Sequence, residues 1–274
     1  MLDFSLNTDA CTGCGECVKE CLCDVIAMGD DFPHLLEGGE ERCIGCQHCL
    51  AVCKPGALSI FGKDPADSRP LKGNLPEPAQ METLIMGRRS TRRYKKEGVD
   101  PALIRHLLEV ASHAPTAVNQ RRTQLTVVDT PEAMDKLRDR AMASALKMLR
   151  ENSFPKGLER LAGYFQKCES GEDAIFRNAT HLLVASAPAD SLSPMADCHI
   201  VMSYFELLAN SHGLGTVWNG IARIMLDQVA PELRDLLGIP KDHVLACAMA
   251  FGKPAVQFYR TVQRPGGTIH RAEI

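Results

Sequence analysis

From about residue 100 onward, apolar residues alternate between helical spacing and short continuous runs. The first helical pattern opens at Asp100-Pro101, where an N-cap residue precedes proline at the first helical position. Its apolar face comprises Leu103, Ile104, Leu107, Leu108 and Ala111. The pattern predicts an amphipathic helix that starts at Pro101 and is ended by Pro115.

Later apolar segments predict both strands and helices. Three continuous runs are typical of buried strands: QLTVVD (124–129), HLLVASA (181–187) and VLACAMAF (244–251). Segment 197–212 is apolar nearly all round, which predicts a helix buried on most sides, in a core or at a subunit interface. Pro231 and Gly238 bracket a further short helix. These elements predict one α+β domain over residues 81–274.

The N-terminal part of the chain is instead an internal repeat with an offset of 32 residues. The first run contains Cys11, Cys14, Cys17 and Cys21, and the second contains Cys43, Cys46, Cys49 and Cys53. Short apolar runs at 25–28 and 57–60 follow them in equivalent positions. We therefore expect a small pseudosymmetric domain over residues 1–62. A proline-rich segment without periodicity, 63–80, predicts a semi-extended linker.

Composition indicates the setting in which the cysteines act. A chain of 274 residues, 45% apolar and 24% charged, is long enough for two unequal domains with a substantial core. It contains no apolar run long enough for a membrane helix, and its first residues lack a signal-peptide pattern. We expect a cytoplasmic protein with no membrane partner, and in that reducing setting clustered cysteines favour metal over disulfides.

Charge is distributed unevenly between the two parts. Residues 1–62 carry three basic and ten acidic residues, a net charge of −7 against −3 for the whole chain, which leaves +4 for the rest. We call residues 1–62 the head and residues 81–274 the body. The acidic charge of the head argues against a nucleic-acid partner. It favours docking on a basic surface, either of a partner or of the body.

The cysteine spacing C-x₂-C-x₂-C-x₃-C is the pattern that binds [4Fe–4S] clusters in bacterial ferredoxins, where the fourth cysteine ligates the other cluster. We assign one cluster to Cys11, Cys14, Cys17 and Cys53, and the second to Cys43, Cys46, Cys49 and Cys21. The alternative is zinc, which typically takes separated C-x₂-C pairs, four ligands per ion. Residues 1–62 resemble a two-cluster bacterial ferredoxin, although the proline usual after the fourth cysteine is Leu22 in one run and displaced to Pro55 in the other.

In the body, Arg88-Arg89-Ser90-Thr91-Arg92-Arg93-Tyr94 combines four arginines with two hydroxyls. Guanidinium groups bind phosphate by charged bidentate hydrogen bonds, and a serine adds a neutral donor. The alternative is a solvated basic helix end. No G-x-G-x-x-G follows a predicted strand, so a Rossmann dinucleotide site is not indicated.

Four motifs in order give the body a resemblance to the FMN-dependent nitroreductase family over about residues 81–265. They are Arg88-x-Ser-x-Arg92-x-Tyr, Ala114–Asn119, Gly213–Gly220, and Gly252-Lys253-Pro254 with Arg260 and Arg264. The resemblance implies a homodimer in which the segment 114–119 reaches FMN across the subunit interface, with the helix at 197–212 as our candidate for the interface core.

The resemblance also implies roles for individual residues. Arg88 and Ser90 correspond to FMN phosphate ligands, joined by Arg264 and Arg260, and Arg92 corresponds to the cation beside flavin N1 and O2, which stabilises reduced flavin. Asn119 corresponds to an amide that binds the ring or ribityl chain, and Asn219 and Gly220 to backbone donors near N5. The full set predicted to bind cofactor is Arg88, Arg89, Ser90, Arg92, Thr116, Asn119, Arg121, Trp218, Asn219, Gly220, Arg260 and Arg264.

Arg121 departs from the family pattern, and Trp218 allows two interpretations. Arg121 replaces a glutamine on the substrate side, which favours an anionic substrate or docking of the acidic head. Trp218, the only tryptophan, shapes the pocket or belongs to the core. No catalytic side chain is predicted, because the chemistry is that of the flavin.

Together these features predict an iron–sulfur flavoprotein oxidoreductase. Its two [4Fe–4S] clusters relay electrons from an external low-potential donor, such as reduced ferredoxin, to FMN, which reduces a nitroaromatic, quinone or activated alkene. One alternative is an NAD(P)H-dependent flavin reductase that exports electrons through its clusters. The other is a non-catalytic electron-transfer or redox-sensing module of a larger complex.

Overall fold

The computed structural model describes residues 2–273, which separate into two compact units. The first unit extends to Pro76 and also includes Val118–Gln120, and the second comprises Glu77–Ala117 and the chain from Arg121 onward. No helix formed by the described residues combines the length and apolar character needed to cross a bilayer.

The first unit is built from short elements arranged as the sequence repeat predicts. They are β1 (Ser5–Leu6), α1 (Glu16–Lys19), β2 (Ile26–Met28), β3 (Pro33–Leu35), α2 (Gly39–Arg42), α3 (His48–Val52) and β4 (Leu58–Ser59). β1 pairs with β4, and β2 with β3, both antiparallel. A residue with positive φ precedes both α1 and α3, Gly15 and Gln47, which lie 32 positions apart.

Apolar residues from both halves of the repeat fill one core between these elements. Its buried members are Leu2, Cys17, Val25, Ile26, Cys49, Leu50, Leu58 and Ile60. Each half contributes a buried cysteine and a buried apolar run, so both cysteine runs pack against the same core.

The segment 63–80 contains more structure than an extended linker. A 3₁₀ turn forms at Pro65–Asp67, and helix α4 (Pro78–Gly87) begins before residue 80. Pro78 occupies the first helical turn, and the N–H of Glu77 donates to Oε1 of Gln80 at 3.3 Å. The helix therefore starts at a cap within the proline-rich segment that was predicted to be a semi-extended linker.

The second unit is an antiparallel four-stranded sheet with helices on both faces. Its helices are α4, α5 (Pro101–Ala111), α6 (Pro131–Glu151), α7 (Ala162–Glu169), α8 (Pro194–Ser211), α9 (Gly220–Ile224) and α10 (Glu232–Leu236). Its strands are β5 (Gln124–Val128), β6 (His181–Pro188), β7 (Gly215–Trp218) and β8 (His243–Gly252). The strand order is β5-β6-β8-β7, and every neighbouring pair is antiparallel.

Alternate residues of the central strands enter two different cores. Leu182 and Val184 of β6 join the core that contains α6 and α7, whereas Leu183 and Ala185 join the core that contains α5 and α8. Side chains of a strand point to opposite faces in turn, so helices on both faces bury every position. All three predicted strands are confirmed, and this burial explains why β6 and β8 appear as continuous apolar runs.

Helix α8 forms most of the segment 197–212, which was predicted to be buried on most sides, in a core or at a subunit interface. One face of α8 packs on the sheet and α5, but Met195 and Tyr204 are 41% and 48% exposed. Of these two, Tyr204 lies within the predicted segment, on a side of α8 that the chain itself leaves exposed. The uncovered face is consistent with the other alternative for this segment, a subunit interface.

His181, buried at the start of β6, predicts a pH dependence of stability. Its Nε2 accepts the N–H of Val99 at 2.9 Å, and burial lowers the imidazole pKa. The unfolded chain, with an ordinary histidine pKa of about 6.5, therefore takes up this proton first as pH falls. The free energy of unfolding should decrease as pH falls from about 6.5 through the lower folded pKa.

His181→Gln removes this titration, so the variant should lose less stability than wild type over that range. Urea unfolding between pH 7 and pH 5 measures it, with the exposed His270→Gln as the control. Parallel stability curves for wild type and His181→Gln would show that this imidazole does not titrate on unfolding.

Candidate cofactor sites

Three of the four body motifs converge beside strand β7. Ser90 forms a parallel bridge with Thr216, and the N–H of Thr91 donates to the Thr216 carbonyl oxygen at 2.8 Å. Tyr94 pairs with Pro254, and the N–H of Lys95 donates to the Lys253 carbonyl oxygen at 2.9 Å. The arginine-rich segment is thus hydrogen-bonded to both glycine-containing motifs, which lie far from it in sequence.

Glycine is required where these segments meet. A Cβ at Gly215 would lie 2.5 Å from Oγ1 of Thr91, and one at Gly252 would lie 2.6 Å from Oγ1 of Thr180. The Tyr94 hydroxyl adds a hydrogen bond of 2.8 Å to the Thr91 carbonyl oxygen. Burial raises the pKa of this phenol, so it remains a neutral donor.

A cavity of about 310 Å³ opens beside this junction. Its lining includes Arg88, Arg89, Thr91, Asn210, Gly215 and Phe258. Nε of Arg89 is buried and finds no hydrogen-bond partner among the described residues. A buried guanidinium donor without an acceptor, next to a second arginine, is a donor set that fits an anionic group such as the phosphate of FMN.

The remaining predicted cations lie on the surface. Arg92, Arg260 and Arg264 are exposed. The C-terminal segment that carries the last two reaches the cavity through Phe258. Their predicted contacts with the phosphate and the ring stay predictions.

At the end of β7, Asn219 anchors the backbone. Its N–H donates to the Ala248 carbonyl oxygen at 2.8 Å, and its Nδ2 to the Ile175 carbonyl oxygen at 2.9 Å. Its Oδ1 accepts the N–H of Ala222 at 2.9 Å and so caps α9. The N–H of Asn219 is therefore already bonded within the fold, whereas Gly220, the other predicted backbone donor, is exposed.

The segment after α5 forms a separate polar pocket. Oγ1 of Thr116 accepts the N–H of Arg121 at 3.0 Å, and Nη2 of Arg121 donates to the Ser112 carbonyl oxygen at 3.0 Å. The buried carboxylate of Asp197 accepts the N–H of Ala117 at 3.1 Å. These bonds hold both predicted residues, Thr116 and Arg121, beside a cavity of about 140 Å³.

The turn that follows has an unusual backbone. Val118, Asn119 and Arg121 all have positive φ, 43°, 54° and 51°. A β-branched residue in this region is a genuine outlier and is typical of functional segments. Within the first unit, Nδ2 of Asn119 donates to the carbonyl oxygen of Ile44 at 2.7 Å. The predicted contact of Asn119 with FMN stays a prediction.

In the first unit, four cysteines from both runs surround one small cavity. They are Cys11, Cys14, Cys17 and Cys53, the set predicted for one cluster. Burial raises the pKa of Cys17, and the neighbouring Cys53 and Cys14 raise it further. Burial likewise raises the pKa of Cys49 to about 11, with contributions from Cys46, Cys21 and Cys43. Each run therefore lies close to the fourth cysteine of the other, so the donor sets fit two clusters with exchanged ligands.

Backbone N–H groups reach the sulfurs in the same way in both halves. The N–H of Val25 donates to Sγ of Cys21 at 3.4 Å, and the N–H of Ala57 to Sγ of Cys53 at 3.2 Å. The two bonds are related by the 32-residue repeat. Hydrogen bonds of this kind tune cluster potential, so the repeat gives both sites a similar donor environment.

The structure also reveals polar residues that sequence reasoning missed. Glu206 is buried on α8 and accepts hydrogen bonds from Arg88 and Trp218. Asp197 is buried at the first turn of the same helix. The sequence signal that could have identified them is an acidic residue on the buried face of an otherwise apolar helix, because a buried charge requires a partner.

Comparison with known proteins agrees with this geometry. Residues 85–253 match the model of the nitroreductase family, and residues 10–58 match the model of a 4Fe-4S dicluster domain. The chain belongs to the nitroreductase family. These two matches confirm the predicted fold class and the prediction of an FMN-dependent oxidoreductase with a two-cluster 4Fe–4S head, and they favour clusters over zinc.

Individual relatives cover the body of this nitroreductase-family chain. An NADH dehydrogenase of Thermus thermophilus is 27% identical over 193 residues, 67% of this chain and 91% of the relative. A putative NADH dehydrogenase/NAD(P)H nitroreductase of Methanothermobacter thermautotrophicus is 25% identical over 175 residues, 62% of this chain and 75% of the relative. A nitroreductase structure with bound FMN from Bacteroides fragilis is 21% identical, with a TM-score of 0.58 over 71% of this chain and 99% of that chain, which shows a shared fold.

Proposed function

We propose that the protein is an iron–sulfur flavoprotein reductase that takes electrons from an external low-potential donor, such as reduced ferredoxin, and reduces a small electrophilic substrate. The observation that carries the proposal is the presence of a complete two-cluster cysteine set and a nitroreductase-family body in one chain. When bound, FMN supplies the ability to accept electrons and to deliver a hydride. Each cluster carries one electron at a time, so the role of the head in a flavoenzyme would be to deliver single electrons to the flavin.

The body residues have binding roles in this proposal. Arg88 and Arg89 hold the phosphate at the cavity beside β7, and the hydroxyl of Ser90 adds a neutral donor. Asn219 fixes the end of β7 so that the backbone of Gly220 is presented at the flavin ring. Arg92 supplies the positive charge that favours reduced flavin.

We further propose a homodimer, as the family resemblance implies. The exposed Tyr204 of α8 is a candidate for its interface. In the dimer the segment with Thr116, Asn119 and Arg121 would complete the flavin site of the partner. A cytoplasmic location is part of the same proposal, because clusters and free thiols require a reducing setting.

Arg88→Ala should weaken FMN binding by about 10- to 100-fold, because a hydrogen bond to a charged group contributes about 1.5–3 kcal/mol. Titration of flavin-free protein with FMN measures the dissociation constant. Arg93→Ala is the matched control, since it removes the same charge from an exposed neighbour in the same segment. Equal weakening by both variants would contradict a specific phosphate contact by Arg88.

The proposal is tested by turnover of the anaerobically purified protein. With reduced ferredoxin or a viologen as donor, we expect reduction of a nitroaromatic, a quinone or an activated alkene. Iron and FMN are quantified in the same preparation, with about eight irons and one FMN per chain expected from two four-iron clusters. A preparation that contains iron but binds no FMN would contradict the reductase proposal.

A second candidate is an NAD(P)H-dependent reductase that exports electrons through its clusters. The names of the two relatives, NADH dehydrogenase and putative NADH dehydrogenase/NAD(P)H nitroreductase, favour it. Rapid bleaching of the flavin by NADH or NADPH alone would support this direction of electron flow over the first.

A further inference from the structure

Glu206 lies at the junction of two motifs to which it does not belong. It is 7% exposed on α8, and its side-chain oxygens are both engaged. Oε1 lies 3.2 Å from Nη1 of Arg88 and accepts the Thr216 hydroxyl at 3.3 Å. Oε2 accepts the indole N–H of Trp218 at 3.0 Å. One buried carboxylate thus joins the arginine segment to two residues of β7.

The hydrogen bonds around Glu206 have a fixed direction. Nδ2 of Asn210 donates to the Thr216 hydroxyl oxygen at 3.0 Å, so the hydroxyl proton is available for Glu206. A buried carboxylate is costly unless it is paired and fully hydrogen-bonded, and Glu206 has one cationic and two neutral donors. The carboxylate is therefore held in one orientation by these three donors.

This arrangement determines where the Arg88 guanidinium lies. Its side chain is 23% exposed and lines the cavity beside β7. Arginine has five N–H donors in a planar fork, and the contact with Glu206 leaves others for a ligand in that cavity. A fixed guanidinium avoids the loss of side-chain freedom on binding, which is large for arginine.

We propose that Glu206 is a positioning residue that orients Arg88 for the phosphate of FMN and links this phosphate site to Trp218. The proposal rests on the proposed FMN site. Electrostatics alone would give the opposite effect on affinity, because removal of a carboxylate near an anion strengthens anion binding. Weaker binding after loss of the carboxylate can therefore be assigned to lost positioning.

The test is a double-mutant cycle on the full chain with its clusters in place. Glu206→Gln keeps the shape and removes the negative charge, and the amide nitrogen cannot accept a hydrogen bond from the donor that it then faces, Arg88 or Trp218. We expect Glu206→Gln to weaken FMN binding about fivefold or more, the loss of a charged hydrogen bond. In an Arg88→Ala background the same change should alter the dissociation constant less than about twofold, because a residue that acts through Arg88 has nothing left to position.

Two controls separate this role from general effects. Asp190→Asn removes one exposed acid, paired with Arg122, and should leave FMN affinity unchanged. If Glu206→Gln does not fold, Thr216→Val removes only the hydroxyl that holds Oε1 and should weaken FMN binding in the wild-type background and not with Arg88→Ala. Full additivity with Arg88→Ala, or unchanged or tighter FMN binding, would overturn the proposal.

The only tryptophan gives a readout that does not need FMN. In flavin-free protein, Glu206→Gln should shift the emission of Trp218, because its indole N–H loses a carboxylate acceptor. Arg88→Ala should also shift the emission when Glu206 is present, and should have no further effect in the Glu206→Gln background. A wild-type chain that holds iron but binds no FMN would contradict the proposed function, whereas unchanged emission in both variants would contradict only the link through Glu206.

Discussion

Cys53→Ala should lower the iron content from about eight to about four atoms per chain, because a [4Fe–4S] cluster requires four thiolates. Cys53 belongs to the second cysteine run but lines a cavity with Cys11, Cys14 and Cys17 of the first. The lost cluster should therefore be the one held by the first run. Iron analysis and the visible absorbance of the anaerobically purified variant measure the loss.

Double variants decide whether the runs exchange their fourth ligands. If Cys53 and Cys14 bind the same cluster, Cys53→Ala with Cys14→Ala should lose no more iron than either change alone. Cys53→Ala with Cys46→Ala should then remove both clusters. The reverse pattern would show that each run binds its own cluster. Cys23→Ala, the ninth thiol of the head, is the control and should retain all the iron.

Asp173→Ala should lower the free energy of unfolding by about 3–5 kcal/mol, the cost of removing one partner from a buried ion pair. The carboxylate of Asp173 is 2% exposed and accepts Nε of Arg138 at 2.7 Å. It also accepts the backbone N–H groups of Phe176 and Asn178 at 2.7 and 2.8 Å. Its removal takes this acceptor away from the guanidinium and from both backbone N–H groups.

Asp135 provides a matched control for this effect. Its carboxylate pairs with the same guanidinium, but it is 68% exposed. Asp135→Ala should therefore cost only about 0–1 kcal/mol, as surface ion pairs do. Urea unfolding of both variants compares them directly, and a difference below about 1 kcal/mol would contradict the structural role of Asp173.

Much of the body could be predicted from apolar patterns. Three of its strands were predicted to within a residue or two, and for the central strands β6 and β8 the reason is that burial on both faces leaves continuous apolar runs. Helix α6 could also have been predicted. Thr130 and Pro131 form its N-terminal signal, and the Thr130 hydroxyl accepts the N–H of Ala133 at 3.2 Å.

Strand β7 could not be predicted from its own residues. It has four residues, and it begins with a glycine that is required by the close approach of Thr91. Its strand geometry comes from pairing with β8, a contact between segments far apart in sequence. Short elements of this kind depend on tertiary pairing more than on local preference.

The buried hydrogen bonds of the site could not be predicted from the sequence either. Arg88 and Trp218 were both predicted site residues, but nothing in their spacing indicates that Glu206 binds both. By contrast, the two-cluster head could be predicted from cysteine spacing, because the ligand geometry of a cluster restricts the pattern. The spacing of cluster ligands can be recognised in a sequence, whereas hydrogen-bond partners that lie far apart in the chain cannot.

The central claim, that the clusters deliver electrons to the flavin, is tested most directly by comparing flavin reduction in wild type and in the Cys53→Ala and Cys46→Ala double variant. Both proteins are loaded with FMN and mixed anaerobically with reduced ferredoxin or with NAD(P)H, and flavin absorbance is followed. The account predicts fast reduction of wild type by reduced ferredoxin, a large loss of that rate without clusters, and slow reduction of either protein by NAD(P)H. Equal rates with reduced ferredoxin in both proteins, or fast NAD(P)H reduction that survives loss of the clusters, would contradict it.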